Sequence, residues 1–162
     1  VVRDGIVMER RYQHTYPPSS PFLYNGEIVW FHRSETRFQL ENIQQEIIMD
    51  YATYFGYRTR VKFWDDHLIV DLGSLVIQDG EILNEIYGFE EIFHWRKINN
   101  KPFFFFLNGK YIGFSYDGGF YPLQYHNILY GHWANSPGGM GNIVNFFGQR
   151  EGAMYYVIVE FE

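Results

Sequence analysis

Six histidines, at positions 14, 32, 67, 94, 126 and 132, are the side chains of this sequence most able to carry chemistry. A metal or hydrolytic centre needs several such ligands at one point, and His94, His126 and His132 are the set that could form one. His126 and His132 are six positions apart. On a single strand they would face the same side, roughly 20 Å apart at about 3.3 Å per residue, so they converge only through a bend. Asp65-Asp66-His67 reads as a turn, where acidic residues belong for local reasons. Glu90 and Glu91 are adjacent and, on a strand, point to opposite faces, so they make no facing pair for acid–base work. Glu160 and Glu162 add carboxylates near the end. With no cysteine, there is no thiol nucleophile and no Cys-based zinc site. The chain has no Gly-x-Ser-x-Gly elbow, no Gly-Lys-Ser/Thr phosphate loop and no Gly-x-Gly-x-x-Gly fingerprint. The glycines at 138, 139 and 141 lack a preceding strand and a lysine. The sequence therefore favours a non-enzymatic chain without a cofactor, with a hydrolase using His94, His126 and His132 as the enzymatic alternative.

The second chemical signal is aromatic. The sequence holds 16 Phe, 14 Tyr and 4 Trp, or 21% of its residues. They cluster at Phe93-His94-Trp95-Arg96, at Phe103 through Phe106, and at Tyr130-Gly131-His132-Trp133. A strand apolar on both faces, as 103–106 must be, is central and buried unless one face meets a partner. If rings such as Trp64, Trp95, Trp133 and Tyr130 are open, they can stack on sugars or anchor a protein. Together with His94, His126 and His132 they form the candidate binding set.

Those side chains must be positioned by strands. Aromatic and β-branched residues fit a pleated, half-buried surface, and many glycines sit in Asx-Gly pairs, which is hairpin chemistry. A repeat organises the pairs. VVRDGIVMERRY (1–12), VIQDGEILNEIY (76–87) and FSYDGGFYPLQY (114–125) share Asp-Gly, six residues, then Tyr. Gly5 to Gly80 is 75 residues and Gly80 to Gly118 is 38, so a unit of about 38 residues with a decayed copy near Ser34-Glu35 is expected. Asn25-Gly26 and Asn108-Gly109 supply a second turn, and the repeated Tyr is expected to pack across its hairpin onto the next unit.

Strands are predicted near 1–3, 6–12, 22–24, 27–32, 57–64, 67–71, 74–78, 81–85, 91–98, 102–107, 110–116, 119–124 and 153–161. Residues 40–55 carry apolar side chains at 40, 43, 47, 48, 51, 54 and 55, a 3.6-residue period that predicts one amphipathic helix ending at Gly56. A shorter helix is predicted at Asn142–Phe147. The fold expected is mainly β: antiparallel β-hairpin repeats forming one sheet-rich domain over residues 1–162, with a helix near 40–55.

The segment 108–128, with Asn-Gly-Lys-Tyr-x-Gly-Phe, then Asp-Gly, then Pro-Leu-x-Tyr-x-x-Ile, resembles the WG (KWG) repeat of bacterial proteins. Ile112-Gly113 replaces the Trp-Gly pair of that family, and the spacing is longer. The resemblance implies a β-repeat scaffold that binds other macromolecules, and it transfers no catalytic residue.

Composition bounds the partners. The formal net charge is -6, and a nucleic-acid surface needs a basic patch. The densest basic stretch, Arg58, Arg60 and Lys62, alternates along a predicted strand and reads as a solvated strand face, so no nucleic-acid partner is expected. No run of 18 or more apolar residues is present for a membrane span. The opening Val1-Val2-Arg3-Asp4-Gly5 carries no signal-peptide pattern and reads as a trimmed or processed end, so no compartment is assigned. The function expected is protein–protein interaction or self-assembly, with carbohydrate binding through exposed aromatics as the non-enzymatic alternative.

Overall fold

Asx-Gly pairs set the strand boundaries. A two-residue turn with positive φ at both central positions matches the twist of antiparallel strands, and Asx followed by Gly adopts it at least cost. Asn25-Gly26 (φ 49° and 78°), Asp79-Gly80 (52° and 89°) and Asp117-Gly118 (53° and 76°) all take this form. Asn108-Gly109 does not. Asn108 pairs with Tyr111, so the turn is Gly109-Lys110, with glycine first and at φ 60°, one position later than in the Asn25-Gly26 turn. The computed structural model describes residues 2–3, 6–7, 20–34, 36–44, 46–52, 59–64, 66–129 and 137–162. The chain divides into two compact units, residues 1–55 and 56–162.

The first unit holds a short antiparallel pair, β1 (Val2–Arg3) and β2 (Ile6–Val7), and a four-stranded antiparallel meander. The meander runs β3 (Phe22–Tyr24), β4 (Glu27–Arg33), β5 (Arg37–Asn42) and β6 (Ile47–Ala52). Its buried residues include Val29, Trp30, Phe38, Leu40 and Met49. The chain turns between β4 and β5: the Ser34 amide donates to the Arg37 carbonyl at 2.9 Å, and the Ser34 hydroxyl accepts from the Arg37 amide at 3.0 Å. Glu35, Asp4, Gly5 and Tyr12 lie outside the described residues.

The helix expected near 40–55 is not there: residues 37–42 and 47–52 are strands β5 and β6, and 53–55 lie outside the described residues. Two local features override the helical period. Asn42 Oδ1 accepts the amides of Gln44 and Glu46 at 3.1 and 2.9 Å, which closes a turn where the helix would have continued. The register then slips at β6, with Leu40 opposite Met49 but Glu41 opposite Ile47. That bulge leaves Ile48 unpaired and breaks the two-residue alternation, so the apolar spacing imitates a helix.

Among the described residues the second unit contains three sheets. The first is β7 (Arg60–Trp64), β8 (His67–Asp71), β9 (Val76–Gln78) and β10 (Glu81–Ile82), which runs into a short helix α1 (Leu83–Tyr87). The second is β11 (Glu91–Ile98), β12 (Lys101–Asn108), β13 (Tyr111–Tyr116) and β14 (Gly119–Pro122). The third is β15 (Asn127–Ile128), β16 (Ile143–Arg150) and β17 (Ala153–Glu160). All pairings are antiparallel between sequence neighbours.

The phenylalanine run occupies central strand β12 and is buried on both faces. Phe103 and Phe105 join Phe93, Ile98, Ile128, Val144, Phe146 and Phe161 in one core. Phe104 and Phe106 join Ile69, Val76, Leu83, Ile92 and Trp95 in another. The middle sheet thus carries a core on each side, which is why its central strand reads as a continuous apolar run. Tyr87 and Tyr125 each pack on rings of a neighbouring sheet. Tyr87 packs on Phe104 and Phe120 of the following sheet (centroids 5.8 and 5.5 Å), and Tyr125 packs on Phe146 and Tyr155 of the next (5.9 and 6.0 Å).

Two further expectations need correction. The strand predicted over 81–85 stops at Ile82 and passes into α1. Buried Asn84 holds it there, accepting the Val76 amide at 3.1 Å and donating to the Ser74 carbonyl at 3.0 Å, and Gly88 ends the helix at φ 71°. The helix predicted at Asn142–Phe147 is strand β16. Val144, Phe146 and Gly148 are buried on one of its faces while the Phe147 ring lies tilted against Tyr156 on the other, a two-faced apolar strand that mimics an i, i+3, i+4 pattern.

Candidate functional site

Three of the seven candidate residues, Trp64, Trp95 and His94, come together in a cleft of about 450 Å³. Its walls are two edge strands, β7 and β11, with Gly138 and Gly139 ahead of β16. Alternation on β7 puts Arg60, Lys62 and Trp64 on one face, and they are joined there by Arg96 and Lys97 of β11.

A bulge in β11 aims its side chains. Phe93 pairs with Phe105 and Arg96 with Phe103, so His94 and Trp95 together oppose Phe104. His94 takes φ 55° at this point, in the left-handed region that few non-glycine residues enter. The extra residue sends Phe93 and Trp95 to opposite cores, where regular alternation would have put them on one face.

Trp95 is only 2% exposed, so its ring offers no open face for sugar stacking. It serves instead as a floor for Lys62. Lys62 Nζ lies 5.8 Å from the Trp95 ring centre and donates to the Trp95 carbonyl at 3.3 Å. Lys97 Nζ lies 5.7 Å from the Trp64 ring centre, and the two indoles are 5.6 Å apart, tilted by 54°. Arg96 Nη1 donates to both the Gly138 and Gly139 carbonyls at 3.2 Å. Gly139 is required at this contact: its φ is 123°, and a Cβ there would overlap the Ile143 carbonyl oxygen.

The electrostatics of the cleft are unbalanced. Four cations line it, and the carboxylate acting on Arg60 and Lys62 from within is Asp71, opposite Arg60 in the β7–β8 register. Asp71 accepts the Gly73 amide at 2.9 Å and a backbone hydrogen bond from Trp95. Burial still raises its pKa against those donors and the two cations. The Lys62 pKa is lowered, first by burial of its tip against Trp95 and then by the charges of Arg60 and Arg96. Burial also lowers Arg96. His94 is driven down to about 3 by burial, with Arg60, Arg96 and Lys62 adding to it, so the imidazole is neutral at neutral pH. His94 Nε2 and Trp64 Nε1 are both buried without a hydrogen-bond partner.

Of the remaining candidates the described residues include His126 alone, and it does not join His94. His126 is exposed, and its amide donates to the Gln149 carbonyl at 3.0 Å ahead of β15; it does not line the cleft. Tyr130, His132 and Trp133 lie outside the described residues, as does Arg58. Among the described residues no three His, Asp or Glu side chains are grouped to hold a metal, and no helix is long and apolar enough to cross a membrane. His67 pairs with the turn residue Asp79 at 2.5 Å.

Sequence reasoning passed over Arg60 and Lys62 as a solvated face and gave Arg96, Lys97 and Asp71 no role. The usable signal was the alternation Arg60, Lys62, Trp64, matched by Trp95-Arg96-Lys97 on a second strand.

A second surface stands out on the third sheet. β17 is an eight-residue edge strand, and no described strand pairs with its outer edge. Met154, Tyr156 and Ile158 alternate on one face and are all exposed, Ile158 at 63%. Phe147 of β16 lies beside them, its ring 5.1 Å from that of Tyr156.

Compared with known proteins, the chain matches no family model and no curated protein sequence.

Proposed function

We propose that the chain is a non-enzymatic binding module that acts through protein–protein contact, self-associating by strand addition at β17. The observation that carries this reading is the outer edge of β17, an eight-residue strand whose outward-facing backbone groups, on alternate residues, are unpaired by any described strand, beside exposed Met154, Tyr156 and Ile158. Proteins ordinarily blunt such an edge with charge, proline or a cover. Here the only charge within the strand is Glu160, at its last position. Main-chain pairing would supply affinity, and the alternating apolar side chains would supply specificity. The resemblance of residues 108–128 to a macromolecule-binding β-repeat points the same way. The sugar-stacking alternative has weaker support, because Trp95 is buried and Lys62 lies against its ring.

Sedimentation velocity across a micromolar concentration series tests the proposal. The wild-type protein is expected to shift from monomer to dimer with concentration, and Ile158→Lys to remain monomeric with an unchanged far-ultraviolet spectrum. A wild-type protein that stays monomeric throughout the series overturns it.

A further inference from the structure

The cleft between β7 and β11 presents a second, independent binding surface. On a chain whose net charge is -6, Arg60, Lys62, Arg96 and Lys97 converge there with Asp71 as their inner carboxylate. None of the four forms an ion pair among the described residues. Even with Asp71 ionised, four cations against one carboxylate leave a formal excess of three. Like charges held together in a partly buried site oppose folding, and such clusters mark places where a ligand completes the balance.

The donors are also held in place before any ligand arrives. Arg96 is fixed through one nitrogen to two carbonyls, which leaves its other guanidinium N–H groups for a planar or tetrahedral oxyanion. Lys62 and Lys97 are each held over an indole ring. Two polar atoms in the same walls, Trp64 Nε1 and His94 Nε2, are buried and unpartnered. The indole can only donate, which suits an oxygen acceptor. The neutral imidazole suits such a ligand in the tautomer that carries its proton on Nε2, which then donates.

We propose that this cleft binds a small molecule bearing a phosphate monoester, with its ring or other flat apolar part against Trp64. A dianion matches the charge excess better than a single carboxylate does. The volume of about 450 Å³ is that of a small-molecule pocket. A nucleic-acid strand would need a basic track extending beyond the cleft, and the acidic chain does not favour one.

The test is a calorimetric and tryptophan-fluorescence titration with phenyl phosphate and with inorganic phosphate, ionic strength held constant with sodium chloride. Saturable binding of phenyl phosphate is expected, tighter than that of inorganic phosphate. Arg96→Gln is expected to weaken it about tenfold or more, as loss of a charge-assisted donor does, and Lys97→Gln to weaken it by a smaller factor. Lys110→Gln, in the distant β12–β13 turn, is expected to leave binding unchanged. Lys97 is exposed, so its variant keeps the test decisive if Arg96→Gln fails to fold. A response that matched sodium chloride reproduces overturns the proposal, as does wild-type affinity in Lys97→Gln and Arg96→Gln. Binding of a single-stranded oligonucleotide without any response to phenyl phosphate also overturns it, in favour of a nucleic-acid surface.

Discussion

Lys62 sets its ammonium 5.8 Å from the centre of the Trp95 ring and donates to the carbonyl of the same residue at 3.3 Å. One residue of β11 therefore holds the lysine of β7 through both its side chain and its backbone. Yet the Lys62 pKa is lowered, because burial and the charges of Arg60 and Arg96 outweigh the help from Asp71. A lowered lysine pKa means that the folded chain binds this proton less tightly than the unfolded chain, so at neutral pH the charge opposes folding. Lys62→Met keeps the stem over Trp95 and removes the charge. It is expected to raise the urea midpoint, by on the order of half a kcal/mol once solvent screening is discounted, and to weaken phenyl phosphate binding. Stability and binding moving in opposite directions is the signature of a site that is strained when empty.

His94 gives the chain an acid-sensitive element. Its pKa in the fold lies near 3, against an ordinary 6.5, because it is buried among Arg60, Lys62 and Arg96. Between those values the unfolded chain takes up a proton that the folded chain refuses. The His94 contribution is thus fully present above about pH 6.5 and is lost as the pH falls towards 3, with a limiting slope of about 1.4 kcal/mol per pH unit. Asp71 works in the opposite sense, its raised pKa favouring the folded chain as the pH falls. His94→Asn tolerates the same positive φ and leaves Asp71 in place. Urea unfolding of the two proteins at pH 7, 6 and 5 is expected to show stability falling more steeply in wild type. Parallel curves would contradict burial of a neutral imidazole.

How much of this was legible in the sequence depends on where local chemistry and tertiary packing agree. The Asp-Gly turns at 79–80 and 117–118 and the Asn-Gly turn at 25–26 stand where the dipeptides place them, because positive φ is a property of the residues themselves. The run Phe103 to Phe106 was readable as a central strand because a strand apolar on both faces is buried unless one face meets a partner. The helix expected near 40–55 failed at a bulge, Ile48, that no single-sequence period can reveal, and at the side-chain turn made by Asn42. The cleft was half legible. Trp64, Trp95 and His94 were named, but their joint placement depends on the β11 bulge. What the rings do there follows from cations that came from two strands more than 30 positions apart, as Lys62 and Trp95 do.

The two Asp-Gly turns of the second unit also separate a structural role from a surface one. The Asp79 amide donates to the Leu68 carbonyl at 2.9 Å, and the Asp117 amide donates to the Pro102 carbonyl at 3.2 Å. Each turn is therefore tied back to the second residue of the strand two places earlier, β8 in one case and β12 in the other. The carboxylates then differ. Asp79 Oδ1 accepts the Leu68 amide at 2.8 Å, and Oδ2 meets His67. Among the described residues the Asp117 carboxylate meets the exposed Lys101 ammonium alone. A backbone amide that loses its partner in a part-buried turn costs about 1 kcal/mol or somewhat more, whereas an exposed ion pair contributes little. Asp79→Ala is accordingly expected to lower the urea midpoint clearly, and Asp117→Ala to leave it near wild type. Replacement by Asn sharpens the comparison, since an Asn side-chain oxygen can still accept the Leu68 amide. Asp79→Asn is expected to recover most of the loss. If Asp79→Asn is as unstable as Asp79→Ala, the carboxylate charge towards His67 holds the turn, and the amide contact does not.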